Sequence, residues 1–461
     1  MSTATRYAWR PHAPASPDDT GSTLRTGYWA IAVATVAYLE LLRWVYRTTI
    51  APEFSYLRYT YREPDPTYYG IAVAMIVVLA AVLPRRITQP SHFISWVLFV
   101  VAVAPSIVVP QYSEVLSRPD AFEVAIWVAL SFVPVAAFGT RRLVREMLPR
   151  FTVSPPAFWT SISVISVAVY VYVIASVGIT FDLPSLDDVY GVRSEYQQVE
   201  DTGSALLAYA TPLIANVINP LIIARGLFAR SWIWIAAGVL GQLFIYSFTG
   251  YRSALLSPIA LLGAYLLLRR RHQAPAVLVL TGLVVLIAAM WALDAITAGN
   301  DFSSLLVRRF LITPGLLTAG YVFVFADIPK AGFAHSFLRS FLDYPYSREP
   351  PQLVGELFFG NAATNANANL LADGFANVGF PGMVLECLVL MVVLWFIDDA
   401  CRGLPVGVAA MVFVMPSLSL VDSGLFTTLL THGLGAATLI CLLTPPAPPP
   451  PMPRVRESER P

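Results

Sequence analysis

The chain has 461 residues, of which 56% are hydrophobic and 13% charged, and it carries a formal net charge of +1. A soluble domain carries about 25% charged residues, so an ordinary soluble globular protein is excluded. The near-neutral charge, with no basic patch interleaved with aromatics, gives no footing for a nucleic-acid partner. Cys387, Cys401 and Cys441 lie in or beside apolar runs, without the spacing of a zinc site or a disulfide framework.

Residues 1–27 are polar and contain Pro, with no apolar core or small-residue cleavage site, and read as a disordered cytoplasmic segment rather than a signal peptide. Apolar segments then follow at 28–48, 68–84, 92–110, 121–139, 157–179, 204–224, 231–248, 252–268, 275–297, 308–326, 378–397, 404–421 and 425–443. Most approach the ~20 residues needed to cross a hydrocarbon core. They predict an all-α, polytopic transmembrane protein with about 12–13 spans. The membrane domain covers 28–443, and the Pro-rich tail 444–461 reads as disordered. No internal repeat of the kind found in many transporters is visible.

Basic clusters set the expected orientation. Arg85–Arg86, Arg141–Arg142–Arg145–Arg150, Arg225–Arg230 and Arg269–Arg270–Arg271 fall at every second loop. Those loops and the N-terminus are therefore placed in the cytoplasm. The loops between them, SRPDAFE, FDLPSLDDVYGVRSEYQQVEDTGS and FTGYRS, are acidic or neutral and face outward. The tenth segment is ambiguous. If it crosses, the long loop 327–377 is cytoplasmic; if it dips and returns, the loop stays outside. Pro314–Gly315 favours a broken helix, which a membrane tolerates where the backbone lines a cavity. The loop is accordingly read as extracytoplasmic, with Asp398, Asp399 and Arg402 inside.

Polar groups gather at the outer face. Arg252 opens a span in SFTGYRSALLSP; intramembrane ionisable residues are functional candidates by default, although a snorkelling anchor would read the same way. Arg308 and Arg309 stand side by side where cations are disfavoured. They call either for an anionic partner, such as a lipid phosphate or diphosphate, or for an ion pair with Asp294 or Asp301. Arg193 is a further cation, with Asp187, Asp188 and Glu195 close by as solvated partners.

The stretch GNAATNANANLLADGFANVGFPG concentrates amides in an otherwise apolar chain. Asn361, Asn365, Asn369, Asp373 and Asn377 recur every four residues, which on a helix makes one polar stripe. Asn365, Asn367 and Asn369 also alternate as a strand would. The four-residue series covers more positions and predicts a helix broken near Gly374. Such a stripe suits hydrogen bonding to sugar hydroxyls; a capping loop with locally satisfied amides is the plainer alternative. No HExxH, GxSxG, Walker A or strand-borne GxGxxG motif is present. His335 and His432 are candidate acid–base groups, with a satisfied buried histidine the common alternative for His432.

Taken in order, TGYRSALL opening a span, RRFLITPG followed by Tyr321, and the Asn-rich loop before the next span resemble the bacterial oligosaccharide repeat-unit polymerases. These are the Wzy-type polymerases of O-antigen and exopolysaccharide biosynthesis, related to O-antigen ligases. The resemblance covers roughly residues 200–440. It implies a GT-C-like glycosyltransferase of the bacterial cytoplasmic membrane, with an outward active site. Its donor and acceptor would both be polyprenyl-diphosphate-linked oligosaccharides, used without metal, nucleotide sugar or other cofactor, with a chain-length regulator as a further partner. Carried onto this chain, Arg252 and Arg308 or Arg309 would hold the diphosphate. Glu356, Asp373, His335 or His432 would act as general base. Arg193, Tyr251, Tyr321, Asn361, Asn365, Asn367, Asn369 and Asn377 would bind the sugar chain.

Three other readings stay open. A glycan ligase would differ only in its acceptor. A GT-C transferase using a polyprenyl-phosphate sugar would need an acidic pair in the first outward loop, where YREPDPTYY offers Glu63 and Asp65. A lipid or glycan flippase would show repeats and midplane charges.

Overall fold

A computed structural model describes residues 23–141, 146–149, 151, 153–178, 184, 191–192, 196, 205–269, 274–336 and 341–445. Ten helices among them are long and apolar enough to cross a membrane: Gly27–Leu57, Pro90–Tyr112, Arg118–Gly139, Pro155–Val177, Leu206–Ala229, Trp232–Thr249, Val277–Thr297, Ser303–Ala326, Phe380–Ala400 and Leu425–Leu443. Pro66–Val82, Arg252–Leu268 and Val406–Asp422 are shorter apolar helices. Each apolar segment read from the sequence falls on one of these elements. The chain is thus an all-helical, multi-pass membrane protein. Helices are the expected solution, because lipid offers backbone groups no partner but their own chain.

Local chemistry sets where these helices start and loosen. Asp65, Ser117 and Ser154 cap Pro66–Val82, Arg118–Pro134 and Pro155–Val177, each helix opening with Pro in its first turn. Tyr46–Ile50, Phe99–Val103, Ile214–Ile218 and Ser303–Ile312 are wound as π-helix, and a proline (Pro52, Pro105, Pro220, Pro314) stands two positions beyond each. Proline has no N–H to give the preceding turn and its ring crowds the carbonyl there. The wider π turn absorbs that defect.

Two sets of contacts fix the ends of the bundle. At one end Arg86–Ile87 pairs antiparallel with Ala274–Pro275, the only strand pairing among the described residues, which joins two of the Arg-rich loops. Asp398 lies at this same end, accepting from the Ser91 N–H and hydroxyl at 3.0 and 2.6 Å. Asp399 accepts from the Leu148 N–H at 2.7 Å and pairs with Arg402 at 2.7 Å.

Phe380–Ala400 therefore starts at the opposite end. There it meets Leu370–Val378, and the two helices approach so closely that a Cβ on Gly382 would lie 1.9 Å from the Gly374 carbonyl oxygen. Arg58 reaches the Phe358 carbonyl at 3.1 Å, and the Tyr59 hydroxyl meets that of Thr313 at 2.7 Å. Residues 350–378 thus sit at the end that carries residues 55–65, opposite the Arg-rich loops. They pack along Ser303–Ala326: Tyr321 donates to the Ala366 carbonyl at 3.0 Å, and Asn369 to Pro314 O at 3.1 Å and Thr318 Oγ1 at 3.0 Å.

Candidate functional site

Asp373 stands in the first turn of Leu370–Val378, a helix capped by Asn369, whose Oδ1 accepts from the N–H groups of Leu371 and Ala372. Gly379, at φ 79°, turns the chain directly into Phe380–Ala400 and so brings Glu386 of the second helix up to Asp373 of the first. The two carboxyls are also pinned by consecutive residues. A Cβ on Gly424 would come within 2.4 Å of Asp373 Oδ2, and the Leu425 N–H donates to Glu386 Oε2 at 3.2 Å. Glu386 is fully buried, and its Oε1 has no donor. On the other side His335 Nε2 lies 3.8 Å from Asp373 Oδ1, and Nδ1 is buried without a partner. The rings of Tyr344 and Tyr346 continue the layer outward from His335.

A cationic cluster lies at the same end. Arg308 projects from the π-wound start of Ser303–Ala326 over the rings of Phe54 and Tyr59, 4.2 and 5.7 Å to their centroids. Its Nε donates to Ser304 Oγ at 3.1 Å. Arg58, held at φ 65° where its helix ends, sets its guanidinium over Phe358. Among the described residues no carboxylate comes within ion-pair distance of Arg308 or Arg58. Asp294, one of the two carboxylates offered as ion-pair partners for the Arg308–Arg309 pair, instead accepts from the backbone N–H groups of Phe302 and Ser303 at 2.9 and 2.8 Å and caps their helix. Arg309 is half-buried at the next position.

The other candidates are dispersed. Arg252 opens its helix after Gly250 (φ 63°) and its charge acts on Tyr246. It is at the end of the bundle opposite the Arg-rich loops, because its helix runs towards the Arg86–Ala274 pairing, but that helix packs mainly on Asn219–Ala229, Trp232–Thr249 and Val406–Val412. Tyr251 meets the Tyr196 ring edge-on. Glu356 pairs with Arg348 at 2.8 Å on the surface. His432 occupies the break between Leu425–Leu430 and Leu434–Leu443, bonded to Thr431 Oγ1, while its carbonyl accepts from Asn216. Arg193 lies outside the described residues.

The expected helical amide stripe does not form, and the one helix here, Leu370–Val378, runs through Gly374 unbroken. Residues 361–369 are not helical; the helix starts only at Leu370. Over 365–368 the chain alternates instead, with Asn365 and Asn367 exposed and Ala366 and Ala368 buried. Asn361 accepts from the Ala363 N–H in a local turn. Asn369 and Asn377 are buried and spent within the chain, Asn377 accepting from the Phe333 N–H and donating to the Asp373 carbonyl. Buried Tyr321 is likewise committed to Ala366. Among the described residues, Asn365 and Asn367 are exposed with no side-chain hydrogen bond to the chain, and Asn361 is exposed with only its oxygen engaged.

The acidic pair of the first outward loop is also committed. Asp65 caps its helix, and Glu63 binds Arg43 at 2.8 Å and Arg47 at 2.9 Å. Two residues of the site escaped the sequence reading. Glu386 was visible as a lone carboxyl inside an apolar run, a signal that marks function by default. Arg58 had no such mark, since its placement depends on contacts with residues 300 positions away. Set against protein-family models, curated proteins and solved structures, the chain matches none.

Proposed function

We propose that the chain is a membrane glycosyltransferase that polymerises polyprenyl-diphosphate-linked oligosaccharide repeat units at the outer face of the bacterial cytoplasmic membrane. The observation that carries this reading is one of placement. A partly open carboxyl backed by a buried one stands at the same end of the bundle as two guanidiniums that no carboxylate neutralises among the described residues, and that end is opposite the Arg-rich loops. By the positive-inside rule the Arg-rich end is cytoplasmic. Loop 327–377 is then extracytoplasmic, and the site meets lipid-linked substrates from outside.

The chemistry follows from the groups. A hydroxyl of the acceptor repeat unit attacks the anomeric carbon of the donor sugar. The bond from that carbon to the diphosphate oxygen breaks, and its electron pair leaves with the lipid diphosphate. Asp373 takes the hydroxyl proton. Arg308 and Arg58 offset the charge that develops on the diphosphate, held over their aromatic platforms. Asn365 and Asn367 present free amides to sugar hydroxyls.

Arg308→Ala tests the reading on the glycan made by cells that depend on this chain. Single repeat units should replace long chains, with Arg308→Lys intermediate because a lysine keeps the charge without the planar fork. Long chains of normal length from a stably expressed Arg308→Ala protein would sink it.

A further inference from the structure

The buried half of the carboxyl pair has no role in the reaction as written. Glu386 cannot meet a substrate: it is 0% exposed, whereas the side chains of Asp373 and His335 keep 19% and 14%. Its Oε2 is held by the Leu425 N–H, and its Oε1 finds no donor. No Lys or Arg pairs with either carboxyl among the described residues. The titratable groups around the pair are His335, Tyr321, Tyr344 and, on the same helix, Cys387.

Two ionised carboxylates are both acceptors and cannot bond to each other; one proton between them turns the contact into a hydrogen bond. The surroundings keep the two groups together. Gly424 leaves no room for Asp373 Oδ2 to swing away, since a Cβ there would lie 2.4 Å from it. Gly374 and Gly382 hold the two helices in backbone contact. A carboxylate left alone in a sealed site would carry an uncompensated charge, which a shared proton removes.

We infer that Glu386 is a positioning residue that carries this proton and donates it in a hydrogen bond to Asp373, fixing the carboxylate that faces His335 and the solvent edge. Glu386 never touches substrate. Its hydrogen bond sets the angle from which Asp373 receives the acceptor hydroxyl, so the proton held between them stays in place while the incoming proton goes to the outer oxygen. This role rests on the transferase reading for the identity of the hydroxyl, but the shared proton does not.

Two measurements separate them. Infrared difference spectroscopy of the purified protein in lipid nanodiscs should show a carboxylic-acid carbonyl band at neutral pH that disappears in Glu386→Gln. A spectrum in which that substitution removes no such band overturns the inference, whatever the protein catalyses. In the chain-extension assay Glu386→Gln should stay within about threefold of the parent, because an amide can donate the same bond. Glu386→Ala should lose about a hundredfold, the loss that follows a small misplacement of a catalytic group. The parent should also lose rate at alkaline pH as the shared proton leaves, and Glu386→Gln should not. A Gln variant as inactive as Ala, or one with an unchanged alkaline limb, overturns the positioning role. If the band behaves as expected but no protein extends chains, the transferase reading falls and the shared proton stands.

Discussion

Phe380–Ala400 carries buried acids at both ends, and the two ends are built differently. At the Arg-rich end, Asp398 accepts from the Ser91 N–H and hydroxyl, and Asp399 from the Leu148 N–H and Arg402. These carboxylates cap one helix and tie down a loop. At the other end Glu386 has one backbone donor, one oxygen without a donor, and a second carboxyl as its neighbour. Buried carboxyls of one helix thus differ in kind: Asp398 and Asp399 are partnered and hold the framework, whereas Glu386 keeps an oxygen without a donor. Partial satisfaction inside a membrane is costly, so the surrounding fold must hold it. Gly374, Gly382 and Gly424 supply that constraint through their close approaches.

Substituting one acid at each end should give opposite phenotypes. Asp373→Asn removes the base and keeps the shape. Chain extension should fall by about 10²–10⁴-fold, with the thermal unfolding midpoint in detergent little changed; activity within a few fold of the parent would break the contrast. Asp398→Ala should do the reverse. Leaving the Ser91 N–H and hydroxyl buried without an acceptor costs about 1–3 kcal/mol, so the midpoint should drop while folded protein keeps its activity. An unshifted midpoint would show that the cap is not structural.

The smallest expected effect lies in the exposed acid network. The Tyr61 hydroxyl first, and then Arg47 and Arg43, hold the Glu63 carboxyl below the ordinary carboxylate range. Its contribution to stability is therefore complete above that range and is lost as pH falls through the lowered folded value. Glu63→Gln should flatten the acid side of the stability–pH curve slightly. Superimposable acid slopes for parent and variant would remove this contribution.

Much of this contrast lies beyond what the sequence could convey. The thirteen apolar segments were legible because a bilayer demands long apolar helices, and the Arg clusters marked one end of the bundle. The Asn stretch misled because its four-residue spacing mimics a helix. A cap at Asn369 and extended alternation over 365–368 produce the same letters. Asp373 and His335 were legible as titratable groups near the outer face, but their meeting depends on the turn at Gly379 and on a loop folded back along Ser303–Ala326. Arg308 could be read as a displaced cation, whereas its neighbour Arg58 could not, because the contacts that place it are long-range. His432 and Glu356, also candidate bases in the sequence, have local partners of their own.

The most direct test of the outer end as a polymerising site uses the purified protein in liposomes, supplied only with a polyprenyl-diphosphate-linked repeat unit. Glycans of several repeats still linked to lipid should form, with one free polyprenyl diphosphate released for each bond formed and none from the Arg308→Ala protein. Repeat units that cross the bilayer or remain single, with no diphosphate released, would contradict it.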